Sequence, residues 1–144
     1  MILTANYDIK SGRNKEKISK KYKILIVDDE PNIVELMKIN LPPEAFIPVC
    51  AYDGKTAMQK ARDEKPDLII LDILMPGLLN GWQVIKSLKS WHATSNIPII
   101  IATGKDTLGD VDKGFALGIQ DYITKPIDLD KLLNKIKDVL KIKS

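Results

Sequence analysis

The chain is poor in cysteine, in histidine and in long apolar runs, and each scarcity removes a class of function. Cys50 is the only cysteine of 144 residues, so no internal disulfide forms, and no second Cys or His stands at metal-ligand spacing. It reads as a small apolar residue on a strand. His92, the only histidine, invites a phosphohistidine role. However, Trp91 to Ser95 lies where a helix is expected to end, and a cationic side chain there simply complements the helix dipole. The longest apolar runs, such as Leu68 to Leu71 and Ile97 to Ala102, fall far short of the roughly 18 residues that span a bilayer. Ile2 and Leu3 soon give way to polar and basic residues, without the apolar stretch of about 7 to 15 residues that a secretory signal needs. A cytoplasmic protein without a membrane segment is expected.

What is present fits one globular domain: 44% apolar and 28% charged residues in a chain of ordinary domain length. The net charge of +3 is unevenly spread. Residues 1–23 hold seven Lys or Arg against two acids, or +5, and the rest holds 15 against 17, or −2. Basicity therefore belongs to a tail and not to the body. Residues 1–21 show no period of two or of 3.6, and they contain the polar stretch Ser11, Gly12, Arg13, Asn14 and Lys15. They are read as a basic, flexible leader. Contact with nucleic acid or anionic lipid is the alternative, but one aromatic and no amphipathic period favour a solvated tail.

From residue 22 the chain alternates between short β-branched runs and segments with helical spacing. Strands are expected at Ile24 to Val27, Phe46 to Ala51, Leu68 to Leu71, Ile97 to Ala102 and Gln120 to Ile123. Each is short and apolar enough to be buried on both faces. Helices are expected at Pro31 to Leu41, Gly54 to Asp63, Gly81 to Trp91, Leu108 to Leu117 and Asp128 to Ile142. In the last, Leu129, Leu132, Leu133, Ile136, Val139 and Leu140 repeat at three- and four-residue steps behind the N-cap candidate Asp128. Strict alternation implies an α/β fold, a five-stranded parallel sheet with helices on both faces. The leading strand order is the flavodoxin-like 2-1-3-4-5. Chemistry then belongs beyond the carboxyl ends of the strands, near the switch point between the first and third.

The residues that end the strands carry that chemistry. Asp28, Asp29 and Glu30 follow the first, Asp72 the third, Thr103 the fourth and Lys125 the fifth. Carboxylates with ordinary pKa values of about 4 are all ionised at neutral pH. Two of them about 4 Å apart repel by roughly 4 kcal/mol at an effective dielectric of 20, so such a cluster calls for a cation. The available ligands are oxygens only. A hard ion follows, and Mg2+ suits a site of few carboxylates completed by water better than Ca2+ does. Lys125 offers a point charge and Thr103 a hydroxyl, groups suited to phosphoryl oxygens. Asp72 is left as a nucleophile able to form an acyl phosphate. The plain alternative is helix capping, since the three acids precede Pro31, a favoured first helical residue. Capping does not explain why hydroxyl and lysine converge on the same edge.

Four stretches in order, KILIVDDEPNI at Lys23 to Ile33, PDLIILDILMPG at Pro66 to Gly77, IIIATG at Ile99 to Gly104 and GIQDYITKPID at Gly118 to Asp128, resemble the receiver domains of two-component response regulators. The resemblance covers about 120 residues, essentially all that follows the leader, and places a receiver domain at residues 22–144. It implies that Asp72 is the phosphoacceptor, that Asp29 and Asp72 bind Mg2+ directly and Asp28 through a water, and that the main-chain carbonyl of Leu74 is a further ligand. It also implies that Lys125 pairs with the phosphoryl oxygens, that Thr103 swings inward with Tyr122 following as a switch, and that the Lys125–Pro126 peptide is cis. A histidine kinase or histidine phosphotransfer protein would be the donor, and a downstream protein the target, with the chain monomeric or dimerising on phosphorylation. It would be a phosphoprotein that assists its own phosphorylation and dephosphorylation, not a turnover enzyme.

Departures from the family pattern are few. The segment from Gly77 to Gly81 is one residue longer than usual, with Asn80 where an acid is commoner. Leu74 and Lys105 occupy positions that in the family influence hydrolysis of the acyl phosphate. Leu74 has no polar group to orient a water, so a long phosphorylated lifetime is expected. No DNA-binding domain follows within these residues, and a single-domain regulator acting by protein contact is expected. A pseudo-receiver that works without phosphorylation is the first rival, weakened by the intact acids, Thr103 and Lys125. A magnesium-dependent hydrolase with an aspartyl intermediate is the second, weakened by loops too short for a substrate cap.

Overall fold

Along the central strands Ile24 to Val27, Leu68 to Leu71 and Ile99 to Ala102 are apolar without interruption, so both faces of the sheet must be covered. The structure, a computed structural model, describes residues 7–8, 13–14, 20–77, 79–104, 109 and 111–142. Its elements are β1 (Tyr7–Asp8), β2 (Arg13–Asn14), β3 (Tyr22–Val27), α1 (Pro31–Ile39), β4 (Phe46–Ala51), α2 (Gly54–Glu64), β5 (Leu68–Asp72), α3 (Gly81–Ser90), β6 (Ile99–Thr103), α4 (Val111–Ala116), β7 (Asp121–Thr124) and α5 (Leu129–Leu140). Strands β3 to β7 form one sheet in the order β4-β3-β5-β6-β7, every pair parallel. Counted from β3, this is the expected 2-1-3-4-5. Within the leader, β1 and β2 pair antiparallel, two residues each, too short for a hydrophobic period to register in the sequence. Of the rest of the leader only Lys20 and Lys21 are among the described residues.

The period of two along the strands sorts the core into two. Leu25, Val27, Ile69, Leu71, Ile99 and Ile101 pack with Ala57 and Ala61 of α2 and Val84, Ile85 and Leu88 of α3. Ile24, Ile26, Leu68, Ile70, Ile100 and Ile123 pack with Val34 and Met37 of α1 and Leu132 and Ile136 of α5. Helix α4 joins the first face: a side chain at Gly114 would run into Ile119 and approach Ile101. Each aliphatic side chain fully buried this way stabilises the fold by about 1.5–3 kcal/mol.

Helix ends follow local chemistry. Asp53 accepts the Thr56 amide at 2.7 Å, and Asp128 accepts that of Lys131 at 3.1 Å, as expected of an N-cap. Asn80 and Gln83 form a reciprocal capping box, at 3.0 and 2.9 Å, which gives the unusual Asn80 a local purpose. Helix α1 starts differently: its N-cap Glu30 makes no side-chain cap bond and Pro31 opens the helix. Helix α4 is described from Val111, and its expected start at Leu108 lies outside the described residues. Gly114 lowers its helix propensity and Gly118, at φ +99°, turns the chain after it. The ends of the sequence-based segments at Leu41, Trp91, Leu117 and Ile142 overran the helices by one or two residues, as fraying ends do. Among the described residues no helix is long and apolar enough to cross a membrane.

Candidate functional site

Strand register carries the charged residues to one place. Val27 pairs with Leu71, Asp72 with Ala102 and Thr103 with Thr124, so Asp28, Asp72, Thr103 and Lys125 all sit at the carboxyl edge, next to the β3/β5 switch point. Parity decides which side each faces. Asp28, Asp72 and Lys125 continue the alternation of Ile26, Ile70 and Ile123, whereas Thr103 continues that of Ile101, on the side of α2, α3 and α4. The backbone fixes the heights. The Ile73 amide donates to the Ala102 carbonyl at 3.2 Å, and the Lys125 amide to that of Thr103 at 2.8 Å. The Lys125–Pro126 peptide is cis.

The geometry is that of a buried, under-neutralised cluster. Asp28 is wholly buried and Asp72 is 3% exposed. The Lys125 ammonium lies 2.9 Å from Asp28 Oδ2 and 3.3 Å from Asp72 Oδ1. The remaining oxygen of Asp28 accepts the Glu30 amide at 2.9 Å, and Asp72 Oδ1 accepts the Leu74 amide at 3.2 Å. One carboxylate oxygen each from Asp28, Asp29 and Asp72 can be chosen within 4.8 Å of one another. Three carboxylates thus lie together beside one ammonium, which pairs with Asp28 and Asp72. Burial, and then the charge of Asp28, push the Asp72 carboxyl up to about 6 despite the opposing Lys125. Burial alone would lower the Lys125 ammonium, but its hydrogen bond to Asp28 and the charges of both aspartates raise it. An all-oxygen donor set with surplus negative charge fits a hard divalent cation.

Every expected site residue among the described ones belongs to this edge or borders it. Thr103 is 1% exposed, its hydroxyl 3.3 Å from the Gly104 carbonyl oxygen. Tyr122, opposite Ile101 in register, is on the same face as Thr103 and packs edge-on against Phe115 of α4, with ring centres 6.4 Å apart. Leu74 is 60% exposed at the rim. Lys105 and Leu78 lie outside the described residues. Capping does not account for the acids before α1, since Asp28 is spent on Lys125 as well as on the Glu30 amide. His92 is exposed on the turn after α3. Burial raises the Cys50 thiol, in keeping with an inert strand residue. The direct Lys125–Asp28 pair and the close seat of Gly81 were not read from the sequence. A Cβ at Gly81 would lie 2.6 Å from Ile73 Cα and 2.7 Å from the Asp72 carbonyl oxygen, a proximity that only the folded loop reveals.

A doubly wound sheet with an acid pair, a hydroxyl and a lysine at its carboxyl edge defines a class of α/β domains whose candidate site lies at the strand switch point. Sequence comparison narrows the class. A family model for the response regulator receiver domain matches residues 24–137, and the chain belongs to that family of two-component signalling proteins. The transcriptional activator protein IrlR of Burkholderia pseudomallei is 38% identical over 119 residues, 83% of this chain and 50% of that protein. The chain thus spans about half the length of the curated relatives it matches. Among solved structures, the chemotaxis protein CheY4 of Vibrio cholerae aligns with a TM-score of 0.76 at 27% identity, over 83% of this chain and 99% of that one. The receiver domain of NtrX from Brucella abortus does so with 0.76 at 28%, over 83% and 99%.

Proposed function

We propose that Asp72 accepts a phosphoryl group from the phosphohistidine of a histidine kinase or histidine phosphotransfer protein, and that the chain signals to a protein target by changing shape. The observation that carries this reading is the Lys125 ammonium held between two buried carboxylates, beside a third acid and a buried strand-end threonine. A carboxylate oxygen of Asp72 attacks phosphorus in line. The new P–O bond forms as the P–N bond breaks, and the imidazole nitrogen leaves with the electron pair and takes up a proton. Mg2+, when bound by Asp29, Asp72 and the Leu74 carbonyl and by Asp28 through water, supplies charge neutralisation for the phosphoryl oxygens. The engagement of both Asp28 oxygens, by Lys125 and the Glu30 amide, supports the indirect role of that residue. Lys125 gives up its contact with Asp72 for a phosphoryl oxygen, Thr103 turns its hydroxyl to another, and Tyr122 follows on the shared face.

On this reading the chain is a phosphoacceptor and not a turnover enzyme, acting in the cytoplasm as a monomer or as a dimer formed on phosphorylation. Intact mass after incubation with Mg2+ and acetyl phosphate tests it. Wild type should gain one phosphoryl group and Asp72→Asn should not. A wild-type chain that gains nothing and binds no Mg2+ would make it a phosphorylation-independent interaction module.

A further inference from the structure

Tyr122 is held on two sides. Phe115 of α4 meets its ring edge-on at an interplanar angle of 84°, and the Lys135 ammonium of α5 stands 5.5 Å from the ring centre, within the range of a cation–π attraction. The position of Lys135 is itself fixed. Both oxygens of Asp121, the residue before Tyr122, accept from its ammonium, at 3.1 and 3.2 Å, and Asp121 Oδ1 also accepts the Tyr122 backbone amide at 2.8 Å. One carboxylate therefore ties together the backbone of Tyr122 and the cation that faces its ring. Tyr122 and Lys135 border an open groove of about 440 Å³, also lined by Lys131, Asn134 and Asp138. The ring is half-buried, so the contacts of Phe115 and Lys135 bear on where it rests.

We infer that Asp121 and Lys135 form a latch that holds the Tyr122 ring in its present position, making both of them positioning residues for the conformational step. The inference rests on the proposed function, in which Tyr122 moves after Thr103. An inward move of the ring gives up the Lys135 contact, so the latch favours the resting arrangement and sets how much the phosphorylated state must overcome. Neither residue reaches the carboxyl edge, so the latch acts only through Tyr122.

The experiment uses the full chain with tyrosines replaced by 3-fluorotyrosine. The Tyr122 fluorine resonance, assigned by its loss in Tyr122→Phe, and Mg2+-dependent beryllofluoride affinity are followed in wild type, Lys135→Met and Lys135→Arg. In Lys135→Met the Tyr122 resonance should move towards its beryllofluoride-bound position. Beryllofluoride affinity should rise roughly two- to fivefold, the worth of an exposed cation–π contact, and Lys135→Arg should restore both. In a Tyr122→Leu background the effect of Lys135→Met on affinity should vanish, which loss of a merely structural ion pair would not produce. An unmoved resonance, or an affinity change that persists without the ring, overturns the latch. A wild type that binds no beryllofluoride overturns the phosphoacceptor reading instead, and the fluorine resonance in Lys135→Met then decides whether the latch holds the ring.

Discussion

Both ends of the sheet place a lysine between two carboxylates, and only at one end are those charges buried with a third acid beside them. At the amino end the Lys23 ammonium pairs with Glu64 at 3.2 Å, while its backbone amide donates to Asp67 at 2.8 Å, and Lys20 reaches Asp67 at 3.3 Å. Those side chains are 28–64% exposed, and each charge keeps much of its water. At the carboxyl end Lys125, at 24% exposure, serves Asp28 at 0% and Asp72 at 5%, with Asp29 adjoining. The residue types are the same. Burial and an excess of acid make the difference, because desolvated charges that outnumber their counter-charge take up a cation or a proton.

Removing the lysine at each end breaks the comparison most directly. Lys125→Met leaves Asp28 buried without its counter-charge and should cost about 3–5 kcal/mol of stability in metal-free protein, as well as abolishing phosphoryl uptake. Lys23→Met should cost at most about 1 kcal/mol. Urea denaturation of the two variants decides, and equal losses would mean that burial does not distinguish the two ends.

The raised acid sharpens the contrast. Between its ordinary 3.8 and about 6 the folded Asp72 carboxyl keeps a proton that the unfolded chain has lost. The stability of metal-free protein should therefore fall as pH rises through that window and level off above it. Mg2+ affinity should run the other way, weakening as pH drops below about 6. Thermal melts across this range with and without Mg2+ should show opposite trends, and Asp72→Asn should remove this component of both; the same slope in the variant would place the titrating group elsewhere.

The smallest effect concerns the rim. Leu74 is 60% exposed and has no group to orient water, so the acyl phosphate should persist, and Leu74→Asn should shorten its lifetime several-fold by offering an amide to the attacking water. Loss of the phosphorylated mass with time measures it. A wild type that loses its phosphoryl group as fast as the variant would leave Leu74 without this role.

How much of this was legible in the sequence depended on how local the cause was. Strand alternation is local, so β3, β5 and β6 were read to within one or two residues and the sheet order followed from the βα rhythm. Asp28, Asp72, Thr103 and Lys125 were legible as strand-end residues, because the parallel sheet must bring strand ends to one edge. The Lys125–Asp28 pair joins residues 97 apart in the chain, and no local pattern announces it. Asn80 looked like a departure until the Gln83 amide was found upon it. Tyr122 was singled out from the family pattern, but no local pattern marks Asp121 or Lys135, since only the turn from β7 into α5 sets the Lys135 ammonium against its ring.

Gly81 gives the site a dimension that no functional group supplies. Its missing side chain lets the first turn of α3 lie against the Asp72 carbonyl and the Ile73 Cα, and its amide donates to the Ile73 carbonyl at 3.1 Å. The helix thus serves as a gauge block for the loop that follows Asp72. One added methyl group would move the loop or the helix, and where reacting atoms must meet, a displacement of about 1 Å can cost on the order of a hundredfold in rate. With Asp72 as the proposed acceptor, the tolerance of the chemistry would be set by a hydrogen atom on a residue outside the reacting atoms.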